Sequence, residues 1–148
     1  IVEVVAEIIK ETGIIPAHLR LEVTEGLAVN DMKRMKQVLA DIKKLGVKVA
    51  LDDFGTGYSS LNHIKEMPID VIKIDKCFTD GLGKDDFSNS FVKMVTELAS
   101  AIGVKTCIEG VESAEQVEIV KASNVHTIQG YYFGKPMSVS EFEERYIM

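Results

Sequence analysis

Apolar positions along the chain switch repeatedly between helical spacing and short continuous or alternating runs, and that switching defines the elements. Residues 1–12 place Ile1, Val5, Ile8 and Ile9 at helical spacing, with Gly13 as the stop and Pro16 beyond it. Nothing precedes this helix to cap it, so the chain is expected to begin inside a larger unit. In LRLEVTEG, residues 19–26, Leu19, Leu21 and Val23 alternate with Arg20, Glu22 and Thr24, the period of a strand. Met32, Met35, Leu39, Ile42 and Leu45 then form one helical stripe, capped by Asn30 or Asp31 and ended at Gly46. The run VKVALDDFGTG, residues 47–57, is apolar until it meets Asp52 and Asp53 and a glycine-rich turn.

The same alternation continues to the C-terminus. Ser59 and Ser60 cap a short helix through Ile64 and Lys65, ended by Pro68, and DVIKID, residues 70–75, is the next strand. Phe87, Phe91, Val95, Leu98 and Ile102 mark a longer helix stopped at Gly103, followed by the strand VKTCIEG, residues 104–110. Ser113 with Gln116 forms a capping box for a helix to about Ala122, VHTIQG, residues 125–130, is the last strand, and Ser140 with Glu143 caps a closing helix. Residues 77–86, rich in Gly and Asp, form the one ambiguous link. About five strands in strict alternation with helices read as α/β with a parallel sheet. A closed eightfold barrel needs ~250 residues, so the residues leave two architectures, an open sheet or an incomplete TIM-like (β/α) barrel.

Every strand ends in polar or ionisable residues: Glu22, the Asp52 and Asp53 pair, Lys73 with Asp75, Glu109 with Glu112 just beyond, and Gln129. Parallel sheets build their sites at this edge. Strand parity puts Asp52 on the face of Ala50, Lys73 on that of Val71 and Gln129 on that of Thr127. Lys73, flanked by apolar residues in VIKID, demands a carboxylate partner if it is buried. One acid beside it would make a structural ion pair. Several converging acids cannot all stay ionised without a cation, and hard Mg²⁺ or Mn²⁺ ions suit oxygen donors and phosphodiester hydrolysis. His18, His63 and His126 are too scattered for a zinc site. Asp53-Phe54-Gly55 lacks the partner motifs of a kinase, and GTGYSS has acids where a dinucleotide's phosphates would bind.

Composition narrows the reading further. The 148 residues, 46% hydrophobic, suffice for one core, and a net charge of −6 supplies no basic face for DNA or RNA polymers. Cys77 and Cys107 stand at no metal or redox spacing and read as reduced thiols of a cytoplasmic protein. No apolar run approaches the ~20 residues of a membrane span, and the first residues, IVEVVAEIIKE, carry acids and are not expected to be a signal peptide. Neither membrane contact by this segment nor nucleic-acid binding is expected.

The stretches EVTE (22–25), ALDDFGTGYSSL (50–61), MPIDVIKID (67–75), EGVESAEQ (109–116) and QGYYFGKPM (129–137) resemble the EAL family of cyclic-di-GMP phosphodiesterases almost end to end. The resemblance implies a TIM-like barrel that opens cyclic-di-GMP to linear pGpG with two Mg²⁺ or Mn²⁺ ions. It implies Glu22 and Asp52 as metal ligands with Asp53 at the second metal, Lys73 orienting the attacking water, and Glu109 supporting metals and water. Glu112 and Gln129 resemble residues that shape the site around phosphate and guanine. Glu25 resembles the glutamate that anchors the mobile loop from Phe54 to Ser59, a loop that couples the site to a dimer interface. The family's Glu-Ala-Leu stretch and a metal-binding asparagine belong upstream of EVTE and are absent from these residues. Residues 1–148 are therefore expected to be the C-terminal portion of one such domain, with little activity alone and homodimerisation through the barrel-mouth loop or exposed sheet edges. The alternative is a degenerate module that binds cyclic-di-GMP or a protein without cutting.

Overall fold

Apolar runs become strands and apolar stripes become helices in the computed structural model of the chain, which describes residues 1–26, 32–57 and 61–147. In order, the elements are α1 (Val2–Thr12), a 3₁₀ turn (Pro16–His18), β1 (Arg20–Thr24), α2 (Met32–Lys44), β2 (Lys48–Phe54) and α3 (Leu61–Glu66). Then follow β3 (Val71–Ile74), α4 (Lys76–Gly81), α5 (Asp86–Ala101), β4 (Lys105–Ile108), α6 (Ala114–Ala122), β5 (Thr127–Ile128) and α7 (Val139–Tyr146). The expected caps at Asn30 or Asp31 and at Ser59 and Ser60 lie outside the described residues.

The sheet has five parallel strands in the order β1-β2-β3-β4-β5. Every strand pairs with the next one in sequence, so the winding never reverses. A doubly wound open sheet needs such a reversal to put helices on both faces. The order thus decides for the incomplete TIM-like barrel over the open sheet.

Register separates the two faces cleanly. Leu21, Val23, Val49, Leu51, Ile72, Ile74, Ile108 and Ile128 share the outer face and pack with helix residues such as Leu39, Ile42, Val92, Val95, Val117 and Val120 in one core. The inner face carries a small apolar group, Ala50, Val71 and Cys107, beneath Glu22, Asp52 and Lys73. A side of the sheet with so little apolar volume contributes little burial energy. At roughly 25 cal/mol per Å² of apolar surface removed from water, the helix-covered face carries the stability.

Four local expectations are corrected. The 77–86 stretch is not a plain loop: Asp75 accepts a hydrogen bond from Cys77 N (2.9 Å) and caps α4. Asp85 then caps α5 by accepting from Ser88 N (2.7 Å). The closing helix is capped by Ser138 with Glu141, a reciprocal box one half-turn earlier than Ser140 with Glu143, because Ser138 holds the extended backbone that a cap requires. Phe87 sits on the α5 stripe in sequence but is 70% exposed; Ser88 and Val92 face the core instead. In α1 only Val5 is buried, with Ile1 and Ile8 exposed, as the helix packs along one side against α2. Cys77 and Cys107 are free thiols, and burial, then Asp75, pushes Cys77 up to about 11.

Asp70 ties the start of β3 to its neighbours. Its carboxylate accepts from Lys43 Nζ (2.7 Å) and Val49 N (2.9 Å), with Lys48 Nζ at 3.6 Å. Burial would raise its pKa, but the Lys43 and Val49 contacts outweigh that and hold it below the usual carboxylate value. A depressed folded-state pKa stabilises the fold above the unfolded value near 4 and loses that contribution as pH falls through the folded one. Asp70→Asn is therefore expected to cost on the order of 1 kcal/mol at pH 7 in urea unfolding. The gap to the wild type should close below about pH 4, and a gap constant with pH would contradict this account.

Candidate functional site

Three strand ends deliver carboxylates to one ammonium. Lys73 Nζ lies 2.6 Å from Glu22 Oε2 on β1, 2.8 Å from Asp52 Oδ1 on β2 and 2.9 Å from Glu109 Oε1 just past β4. Lys73 itself is 4% exposed on the central strand, so its neighbours in the sheet determine what surrounds its head group. Burial by itself would lower its pKa, but contacts with Asp52, Glu22 and Glu109 outweigh it and hold the ammonium above its ordinary value. Lys73 is a fixed cation at any physiological pH.

Asp53 joins this cluster through a departure from strand geometry. Strict alternation would send Asp52 and Asp53 to opposite faces. The β2–β3 register shifts between Leu51 and Phe54, and Asp53 takes φ 55°, a left-handed conformation uncommon outside glycine. Carboxylate oxygens of Asp52, Asp53 and Glu109 consequently lie within 4.8 Å of one another. The bulge turns two consecutive acids into one site.

The chain leaving the bulge is held from two sides. Glu25 Oε2, buried one residue past β1, accepts from Gly55 N (3.0 Å) and Gly57 N (3.1 Å). On the other side the Phe78 and Phe91 rings stack at 3.8 Å, with Phe54 6.3 Å from Phe91. A Cβ at Gly55, φ +99°, would come within 2.4 Å of Phe91, so the backbone can lie against the rings only as glycine.

Glu112 and Gln129 are not brought onto Lys73. They line a neighbouring cavity of about 300 Å³ with Lys76, Glu109, Gly110, Gly130 and Tyr131. Glu109 belongs to both places and connects them. Asp75, at a strand end in sequence, is turned away from Lys73 to cap α4. His126 Nδ1 lies near Thr106 N (3.2 Å) and Oγ1 (3.1 Å), clear of the acids. Lys76 and Thr79, which periodicity did not single out, also enter the surroundings: Lys76 pairs with Glu112 at 3.0 Å, and Thr79 Oγ1 donates to the Glu109 carbonyl. Thr79 lies in the stretch 77–86, ambiguous in sequence, and Lys76 immediately before it.

Charge balance indicates what the cluster could hold. Glu22, Asp52, Asp53 and Glu109 bring four carboxylates against one ammonium. The Asp52 contact has ion-pair distance without hydrogen-bond alignment, leaving Oδ1 buried with no hydrogen-bond partner among the described residues. An all-oxygen set with a surplus of negative charge and an unmet buried lone pair fits a hard divalent cation.

Known proteins resemble this chain in sequence and fold. The family model described as EAL domain matches residues 1–136. The cyclic di-GMP phosphodiesterase PdeR of Escherichia coli is 34% identical over 140 residues, covering 95% of this chain and 21% of PdeR. A solved PaMucR phosphodiesterase in complex with c-di-GMP superposes with a TM-score of 0.91 at 33% identity, over 95% of this chain and 57% of that one. Klebsiella pneumoniae BlrP1, solved with manganese and the cyclic dinucleotide, gives a TM-score of 0.85 at 27% identity, over 91% of this chain and 34% of BlrP1. The chain spans only 16 to 17% of the length of the first curated relatives it matches. With the parallel winding, the acids at the strand ends and the matched model in agreement, the chain belongs to the EAL domain family.

Proposed function

We propose that these residues are the C-terminal part of a cytoplasmic EAL domain that hydrolyses cyclic-di-GMP to linear pGpG with two Mg²⁺ or Mn²⁺ ions. The observation that carries this reading is the Lys73 ammonium within 2.9 Å of carboxylates from three different strand ends, with Asp53 folded into the same cluster. Glu22, Asp52 and Asp53 would hold the metals. Bound divalent cations supply Lewis-acid polarisation of the phosphodiester and lower the pKa of water.

The chain's own groups take the remaining roles. Lys73, charged and immobilised by its ion pairs, orients the attacking water by hydrogen bonding and screens the negative charge that grows on phosphorus oxygens. Glu109 accepts a hydrogen bond from that water and fixes its lone pair toward phosphorus. The water oxygen bonds to phosphorus and releases a proton to solvent as the bond to the 3′ oxygen breaks; the 3′ oxygen takes up a proton from solvent to become a hydroxyl, and the product keeps a 5′ phosphate. Glu112 and Gln129 face the dinucleotide in the adjoining cavity, and Glu25 anchors the loop after β2. Ligands contributed by residues upstream of this chain complete the metal cage, so the 148 residues alone turn over slowly. The open edges of β1 and β5 suit pairing with those upstream residues or with a second copy.

Two measurements test the reading. In a phosphodiesterase assay with Mn²⁺, an N-terminally extended protein is expected to release pGpG, and Asp52→Ala to lose at least about a hundredfold. The 148-residue chain should be comparably slow; turnover at the extended protein's rate by that chain with Mn²⁺, or by the extended protein in the presence of a chelator, would overturn the proposal. In thermal unfolding of the 148-residue chain, saturating Mn²⁺ is expected to stabilise the wild type, by about 2.7 kcal/mol at a hundredfold excess over Kd. Asp52→Ala and Asp53→Ala should each abolish the shift.

A further inference from the structure

The loop between β4 and α6 carries Glu109 at its start and Glu112 three residues on, and α4 braces it at several points. Thr79 Oγ1 donates to the Glu109 carbonyl. Gln116 Nε2 donates to the Thr79 carbonyl (3.0 Å), while Gln116 Oε1 accepts from Glu112 N (2.8 Å) and Ser113 N (3.1 Å). The Glu112 backbone is thereby fixed. Its side chain, 51% exposed, is restrained among the described residues by Lys76 Nζ, 3.0 Å from Oε1 and itself held 2.9 Å from Asp80 Oδ1 one turn along α4.

The course of Lys76 is built into the fold. Its stem runs over Gly110, where a Cβ would meet Lys76 Cγ at 2.4 Å, and Gly110 holds φ +71°. Ion pairs between groups this exposed contribute little to folding stability, so stability gives the arrangement no purpose. Its location does: Lys76 and Glu112 line the same cavity as Glu109 and Gln129.

We propose that Lys76 is a positioning residue that aims the Glu112 carboxylate at a purine edge and thereby sets the preference for guanine over adenine. This rests on the cyclic-dinucleotide reading above. A carboxylate only accepts hydrogen bonds. Guanine presents two adjacent donors, N1–H and the 2-amino group, whereas adenine presents the acceptor N1 beside its amino group, so a carboxylate held in one rotamer favours the first and repels the second. Lys76 engages Oε1, and Oε2 is assigned to the base.

The test uses the N-terminally extended protein, with kcat and KM for cyclic-di-GMP and the inhibition constant of cyclic-di-AMP. Lys76→Met is expected to raise KM for cyclic-di-GMP about tenfold, with kcat within about twofold and the guanine preference falling about tenfold, the size of one well-placed polar contact. Lys76→Arg should return both to within about twofold. In the Glu112→Gln background, Lys76→Met should add no further loss, because the lysine acts through that carboxylate. Unchanged selectivity in Lys76→Met, or additive losses in the double variant, would overturn the assignment while leaving the proposed activity standing. Failure of the wild type to bind cyclic-di-GMP at all would overturn both.

Discussion

Burying an ammonium on the central strand of a parallel sheet is the constraint around which the inner face is arranged. Lys73 is 4% exposed and could not be desolvated alone. Carboxylates from β1, β2 and the end of β4 surround it, and each arrives from a different segment of the chain. Such a cluster is a weak source of net stability, because desolvating the charges offsets most of their attraction. What it provides is geometry: four acids held in one place with their charge incompletely balanced.

That geometry depends on a division of labour between the faces. The outer face, packed against the helices, carries the apolar contacts. The inner face has Ala50, Val71 and Cys107 as its buried apolar floor, which leaves room for polar groups above it. The floor is as deliberate as the acids, since larger residues would fill the space that the carboxylates occupy. Singly wound topology keeps all strand ends pointing to one rim, so the loops that follow β2, β3 and β4 converge.

The supporting contacts show how loops acquire the rigidity of the sheet. Glu25 clamps the chain after β2 through two backbone N–H groups. Thr79 and Gln116 tie the loop after β4 to α4. In both places a glycine lies where another chain segment comes too close for a Cβ, at Gly55 against Phe91 and at Gly110 against Lys76. Side chains that never face the acids therefore fix where the acids point.

Strand and helix identity, the parallel α/β class and the strand-end acids were legible in the sequence because they rest on local periodicity and on the cost of burying charge. Parity alone paired Lys73 with Val71 and Asp52 with Ala50, and register agrees. The sequence left α4 unread, since its six residues are too short for a stripe and its cap, Asp75, looked like one more site acid. Strand parity gave no sign that Asp53 would share a face with Asp52, which only the family resemblance implied, because a bulge is a response to pairing with the neighbouring strand rather than a property of the residues. The sequence by itself determined which chemistry is present: oxygen donors, one buried lysine and apolar strands to carry them. Only the tertiary structure decided that the winding is that of a barrel, that three strand ends share one ammonium and that Glu112 lies beside Lys76, because these relations join residues tens of positions apart that no local pattern connects.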